Sequence, residues 1–165
     1  MDELVAKHLR RLRLAFLAFA ALLAALAALA FLLPPTIAPA LPQAQTLLWG
    51  FAFLAAANLA TVMPTYRAMM AGPRRVHAVG RQPERLLASH LSVHLLALAR
   101  VDAVAVLGLA LLFLTGRRDW FWAFVAAAAA GACLLWPRRW KVVALLAAPA
   151  PSRTGQEGGP DLRPR

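Results

Sequence analysis

His94, Arg100 and Asp102 are side chains that hold charge or pass protons, Asn58 is one that hydrogen-bonds, and each sits inside apolar sequence. His90 precedes His94 by one helical turn. A carboxyl can carry a proton, an imidazole can relay one, and a guanidinium supplies a fixed counter-charge. Helical geometry limits how these groups combine. Arg100 and Asp102 are two residues apart, about 200° around a helix, so they point to opposite sides and cannot pair within it. No other apolar stretch contains an acid. Arg100 therefore reaches toward lipid headgroups, bonds Asn58 or backbone carbonyls, or pairs with Asp102 of a second copy. His90 and His94 share one face, with Asp102 about 80° further round from His94. A wet path from His90 past His94 to Asp102 is compatible with that spacing. A purely structural role, in which His94 or Asn58 hydrogen-bonds a neighbouring helix, stands beside it.

Two imidazoles on adjacent turns can share a metal. A haem needs a second ligand from a facing helix, and no other apolar stretch carries a His. Neither a metal nor another cofactor is expected. No nucleophile–base pair, acid pair or cofactor fingerprint appears, so no catalytic residue is assigned.

The elements that position these groups are apolar stretches. The chain has 165 residues, 61% hydrophobic and 15% charged, whereas a soluble domain is roughly half apolar and a quarter charged. Four stretches, at 14–33, 46–66, 91–115 and 120–136, are long enough to cross a hydrocarbon core of ~30 Å as helices. The fold class expected is all-α: an integral membrane bundle of four transmembrane helices over 1–148, followed by a disordered tail rich in Pro and Gly over 149–165. The shorter apolar run 142–148 is expected at the interface or as a continuation of the last helix. Small residues recur every fourth position, at Ala20, Ala24 and Ala28, at Ala52, Ala56 and Ala60, and at Ala126, Ala130 and neighbouring Gly131. They predict close helix packing or a homo-oligomer.

Charge gives direction. Of the 18 Lys and Arg, 15 fall before the first stretch, between the second and third, or after the fourth. Arg117 and Arg118 lie on the other side and Arg100 within. Basic residues concentrate on the cytoplasmic side, so both termini are expected there. The loop arginines, Arg81 and Arg85 among them, are expected to grip anionic headgroups. Trp120 and Trp122 fall at the outer edge and Trp136 and Trp140 at the inner, where indole rings prefer to sit. The net charge of +11 does not imply nucleic acid, because the cations flank apolar runs instead of forming a face for a phosphate backbone. Arg outnumbers Lys 16 to 2, a composition typical of GC-rich bacterial genomes, which makes the inner membrane the expected location. Ala38-Pro39-Ala40 has a small-x-small cleavage pattern, but the preceding run of twenty residues exceeds a signal core of roughly 7–15. Cys133, the single cysteine, is expected to be a small buried hydrophobe.

Arg81-Gln82-Pro83-Glu84, followed by Asp102-Ala103-Val104-Ala105-Val106-Leu107-Gly108, resembles the rotor c subunit of F-type ATP synthases. That resemblance implies a cytoplasmic loop and Asp102 as a proton carrier. It covers about thirty residues. The preceding stretch has Ala and Asn58 where that family has repeated glycines, Arg100 puts a fixed charge beside the carboxyl, and the loop-to-acid spacing is one residue longer. No family is assigned on it.

The function expected is that of a non-enzymatic accessory or assembly component of a membrane complex. The alternative is a small transporter or proton-conducting subunit using Asp102, with His94 as relay and Arg100 as counter-charge. Least favoured is an enzyme at the cytoplasmic face using His77, His90 and the loop arginines, since Glu84 is the one acid there.

Overall fold

The computed structural model describes residues 2–32, 43–80 and 82–147. These form five helices: α1 (Asp2–Leu32), α2 (Ala44–Gly80), α3 (Pro83–Thr115), α4 (Arg118–Leu134) and α5 (Arg139–Ala147). The cleavage motif, most of the first loop, Arg81 and the tail 149–165 lie outside the described residues. Three helices are long and apolar enough to cross a membrane, and α4 with α5, bent by 49°, makes a fourth if the pair is one crossing.

The helices outrun the apolar stretches that announce them. α2 has 37 residues, about 55 Å at 1.5 Å per residue. The arginine-bearing loop expected after residue 66 is therefore helix as far as Gly80, and only residues 81 and 82 separate α2 from α3. Ala, Met and Arg are good helix formers, and α2 continues through both Pro64 and Pro73. Pro83 opens α3, where its missing N–H would have had no intrahelical partner. At the far end of α3, Gly116 takes φ 67° and its N–H donates to the Leu112 carbonyl at 2.8 Å. Arg117 alone then leads into α4.

α3 is the central helix, flanked by α2 and α4 with α1 packed on it. Of its most apolar window 44% is buried, against 17% for α1 and 11% for α2. Val101, Val104, Ala105 and Leu111 of α3 meet Ala128 and Phe124 of α4 in the main core. α5 follows α4 after a break at residues 135–138. It leaves α4 at the 49° bend, so that Val142 packs with Val5, Leu9, Leu12 and Leu87, and Leu145 with Met70, Leu86 and Val93. Arg139 Nη2 also meets Asp2 at 3.0 Å. The start of α1, the end of α2, the start of α3 and α5 thus gather at one end, with most of the described Lys and Arg; this is called the basic end below.

Within the single chain, most of the small-residue stripes do not mediate helix packing, and Cys133 is not buried. Ala20, Ala24, Ala28, Ala56, Ala60, Ala126 and Ala130 are exposed, and Ala52 and Gly131 are half-buried. Close approach within the chain uses Gly131 of the third stripe, where a Cβ would meet Leu59 at 3.0 Å and Val101 at 3.2 Å, and Gly108, which no stripe contains, where a Cβ would lie 2.6 Å from Phe124 Cβ. A period of four marks helix faces equally whether they turn inward or outward, and in an Ala-rich chain it does not say which. Cys133 is likewise exposed, on an outward face of α4 beside Leu134.

Gly108→Ala should lower the thermal unfolding midpoint in detergent, at an overpacking cost of roughly 1–3 kcal/mol. Gly72→Ala, where nothing lies within 4 Å, should not lower it. Equal midpoints for the two variants would contradict the close α3–α4 contact.

Candidate functional site

Arg100 is held by α2. Its Nε donates to Asn58 Oδ1 at 3.0 Å, Nη1 to Thr65 Oγ1 at 3.0 Å, and Nη2 to Thr61 Oγ1 at 2.6 Å. A longer contact runs from Nη1 to the Thr61 carbonyl at 3.5 Å. Asn58 Nδ2 returns a hydrogen bond to the Arg100 carbonyl, so one amide serves both side chain and backbone of Arg100. Asn58, Thr61 and Thr65 stand at i, i+3 and i+7, one face of a helix. Among the three options the sequence leaves for Arg100, its contacts are those with Asn58 and a carbonyl, supplemented by two threonines that sequence reasoning missed. Their spacing was the available signal. The ion pairs among the described residues are Arg117–Asp119 and Arg139–Asp2. The Arg100 charge is thus met by dipoles, with no carboxylate beside it.

The histidines form a second group. His8 Nε2 and His90 Nδ1 are 2.9 Å apart. The rings of His90 and His94 stack at 5.9 Å, and the Tyr66 ring stands edge-on to His90 at 6.1 Å. His8, His90 and His94 are all buried. Burial, and then the charge of Arg11, hold His8 below the ordinary imidazole value. A neutral His8 can share a single N–H with His90, one ring donating and the other accepting. His8 was not legible from sequence, because 82 residues separate it from its partner. His94 Nε2 is buried with no hydrogen-bond partner among the described residues.

His90 and His94 line a cavity of about 510 Å³ at the basic end. Its walls are the C-terminal half of α2, the N-terminal half of α3 and the α4–α5 bend. Pro137 lies in that bend, where the backbone closes two short turns: Leu135 N–H to the Ala132 carbonyl and Trp136 N–H to the Cys133 carbonyl. Arg67, Arg74, Arg138 and Lys141 contribute to the lining, and no acid among the described residues does.

The expected path from His94 to Asp102 has no connecting hydrogen bond among the described residues. Asp102 lies eight residues further along α3, about 12 Å of rise. It is half-buried, and its Oδ1 is buried without a partner among the described residues. Arg85 is exposed and bonds Gln82 Oε1 at 3.2 Å. Glu84 is exposed, and His77, half-buried, has an unpartnered buried Nδ1. Neither joins the histidine group. Among the described residues no group of three or more His, Cys, Asp or Glu is arranged to hold a metal ion. Comparison with protein-family models, with curated proteins and with solved structures finds no match for this chain.

Asn58→Leu alone leaves a guanidinium short of acceptors and should destabilise the protein by about 1–3 kcal/mol. Adding Arg100→Leu should recover most of that loss. Unfolding by denaturing detergent measures both, and a double variant less stable than Asn58→Leu would refute the proposed dependence.

Proposed function

We propose that the chain is a four-span protein of a bacterial inner membrane, with both termini cytoplasmic, acting as a non-enzymatic accessory or assembly component of a membrane complex. The observation that carries this reading is the uncovered apolar exterior of α1 and α2. Leu14, Leu17, Phe31, Trp49, Phe53 and Leu54 are all exposed, and a continuous apolar exterior is the mark of a lipid or partner surface. Lipid tails are as apolar as these side chains, so a partner helix binds there through close packing and polar contacts instead of hydrophobic drive. The small residues Ala24 and Ala56, both outward, leave room for such an approach. The polar interior also favours a structural role: Arg100 is occupied in joining α2 to α3.

A second reading is favoured by Asp102. A half-buried carboxyl with one unpartnered buried oxygen is the type of group that loads and releases a proton. On that reading Asp102 is the carrier in a transport subunit, with His94 as relay about 12 Å further toward the basic end of α3.

Purification in mild detergent should yield the chain bound to a different subunit in fixed ratio. Recovery of a lone monomer or homo-oligomer contradicts the accessory role. For orientation, a cysteine placed at Arg75 in a Cys133→Ala background should react with an impermeant maleimide only after cells are opened; reaction in intact cells reverses the topology. In proteoliposomes, Asp102→Asn should abolish a pH-driven flux if the second reading holds, and equal flux from variant and parent eliminates it.

A further inference from the structure

The cavity at the basic end joins three features that together specify a ligand. The first is charge. Arg67, Arg74, Arg138 and Lys141 line it without an opposing carboxylate among the described residues, and cations brought together in this way repel one another unless an anion sits among them. Second is an unused hydrogen-bonding atom. His94 is 4% exposed, lines the cavity, and has a buried Nε2 with no partner among the described residues. His90 lines it too, with its Nδ1 engaged by His8. If His8 donates that hydrogen bond, His90 is the tautomer whose N–H is on Nε2, the ring nitrogen left for a ligand. The third feature is amphipathic shape. Met63, Leu135, Val142 and Leu145 supply apolar wall, while Leu134 and Trp136 at the rim are exposed. An alkyl chain leaving the cavity therefore passes onto the apolar exterior of the bundle.

We propose that this cavity is a discrete binding site for one phospholipid with a net negative, phosphate-bearing headgroup. Its phosphate sits among Arg74, Arg138 and Lys141 and accepts a hydrogen bond from His94 Nε2–H. Arginine and lysine bind phosphate oxygens through charge-assisted hydrogen bonds, and the imidazole adds a direction that charge alone lacks. At about 510 Å³ the cavity has the volume of a small-molecule site, enough for a headgroup and the first methylenes of its chains. The proposal rests on the membrane reading above, and it differs from general attraction of arginines to a charged surface. The site takes a stoichiometric lipid and should discriminate headgroups.

The test uses the full chain, purified in detergent, delipidated and titrated by native mass spectrometry and thermal shift. The probes are phosphatidylglycerol, phosphatidylcholine, glycerol phosphate and inorganic phosphate. Phosphatidylglycerol should bind one to one and raise the unfolding temperature, and the other three should do neither. Arg74→Gln and Arg138→Gln, both at exposed positions, should each weaken binding about ten-fold or more, the effect of removing one charge-assisted hydrogen bond. His94→Gln should weaken it with the Arg74 and Arg138 sites intact. Arg75→Gln, the same change of charge outside the cavity, should leave it unaltered. Equal binding of phosphatidylcholine, equal loss in Arg75→Gln, or stabilisation by free phosphate as strong as by the lipid would each overturn the proposal. A chain that needs detergent yet binds no lipid refutes the site alone. A chain soluble without detergent refutes the membrane reading itself.

Discussion

A guanidinium embedded in apolar sequence has to be given acceptors, and the arrangement of α2 against α3 follows from that need. Arg100 has no carboxylate to neutralise it, so it takes one amide and two hydroxyls from consecutive turns of α2. Three acceptors at i, i+3 and i+7 can meet one planar fork only at one vertical offset of the two helices. A slide by a single turn would put Leu54 and Ala55, or Thr61 and Val62, where Asn58 stands, and would cost the guanidinium at least one acceptor, a loss of about 1–3 kcal/mol. Dispersion contacts among Ala, Val and Leu set no such offset, since one small apolar residue replaces another at little cost. The polar clamp therefore supplies register, and the apolar contacts supply closeness.

That register has effects two turns away. With Asn58 opposite Arg100, the antiparallel course of α2 brings Tyr66 level with the early turns of α3, where its ring meets His90. Arg67 and Arg74 follow on the same helix. The cationic cavity is thus a downstream result of how Arg100 is satisfied. α4 contributes by stopping early: 17 residues make about 25 Å, less than a full hydrocarbon thickness, and the chain turns across the gap before α5 begins.

Hydropathy made the apolar parts of α1, α2 and α3 legible because lipid-like sequence is long, uninterrupted and bounded by charge. It left the ends of these helices unread. Where the apolar stretch gives way to Arg67, Met69, Met70 and Arg74, the solvent preference changes but the backbone preference does not, so the helix continues and only the medium would differ. Pro73 reads as a stop in sequence, yet the helix continues past it, packed through Met70 against Leu86 and Val93. Arg100 with Asn58 was foreseeable as one choice among three, because both lie inside neighbouring apolar stretches. Thr61 and Thr65 were overlooked since threonine hydroxyls commonly bond their own helix, as Thr61 also does to the Ala57 carbonyl at 2.8 Å. His8 was out of reach for a different reason: nothing in local spacing relates the first turns of the chain to His90.

The cavity's last wall is built from α5, which packs against the opening turns of α1 and pairs Arg139 with Asp2. During synthesis these are the earliest and the latest described helices to leave the ribosome. The initial turns of α1 must wait, unsupported on that side, until the rest of the bundle has been made. A nascent chain thus acquires its histidine-lined chamber only once α5, the last of the described helices in chain order, has been made.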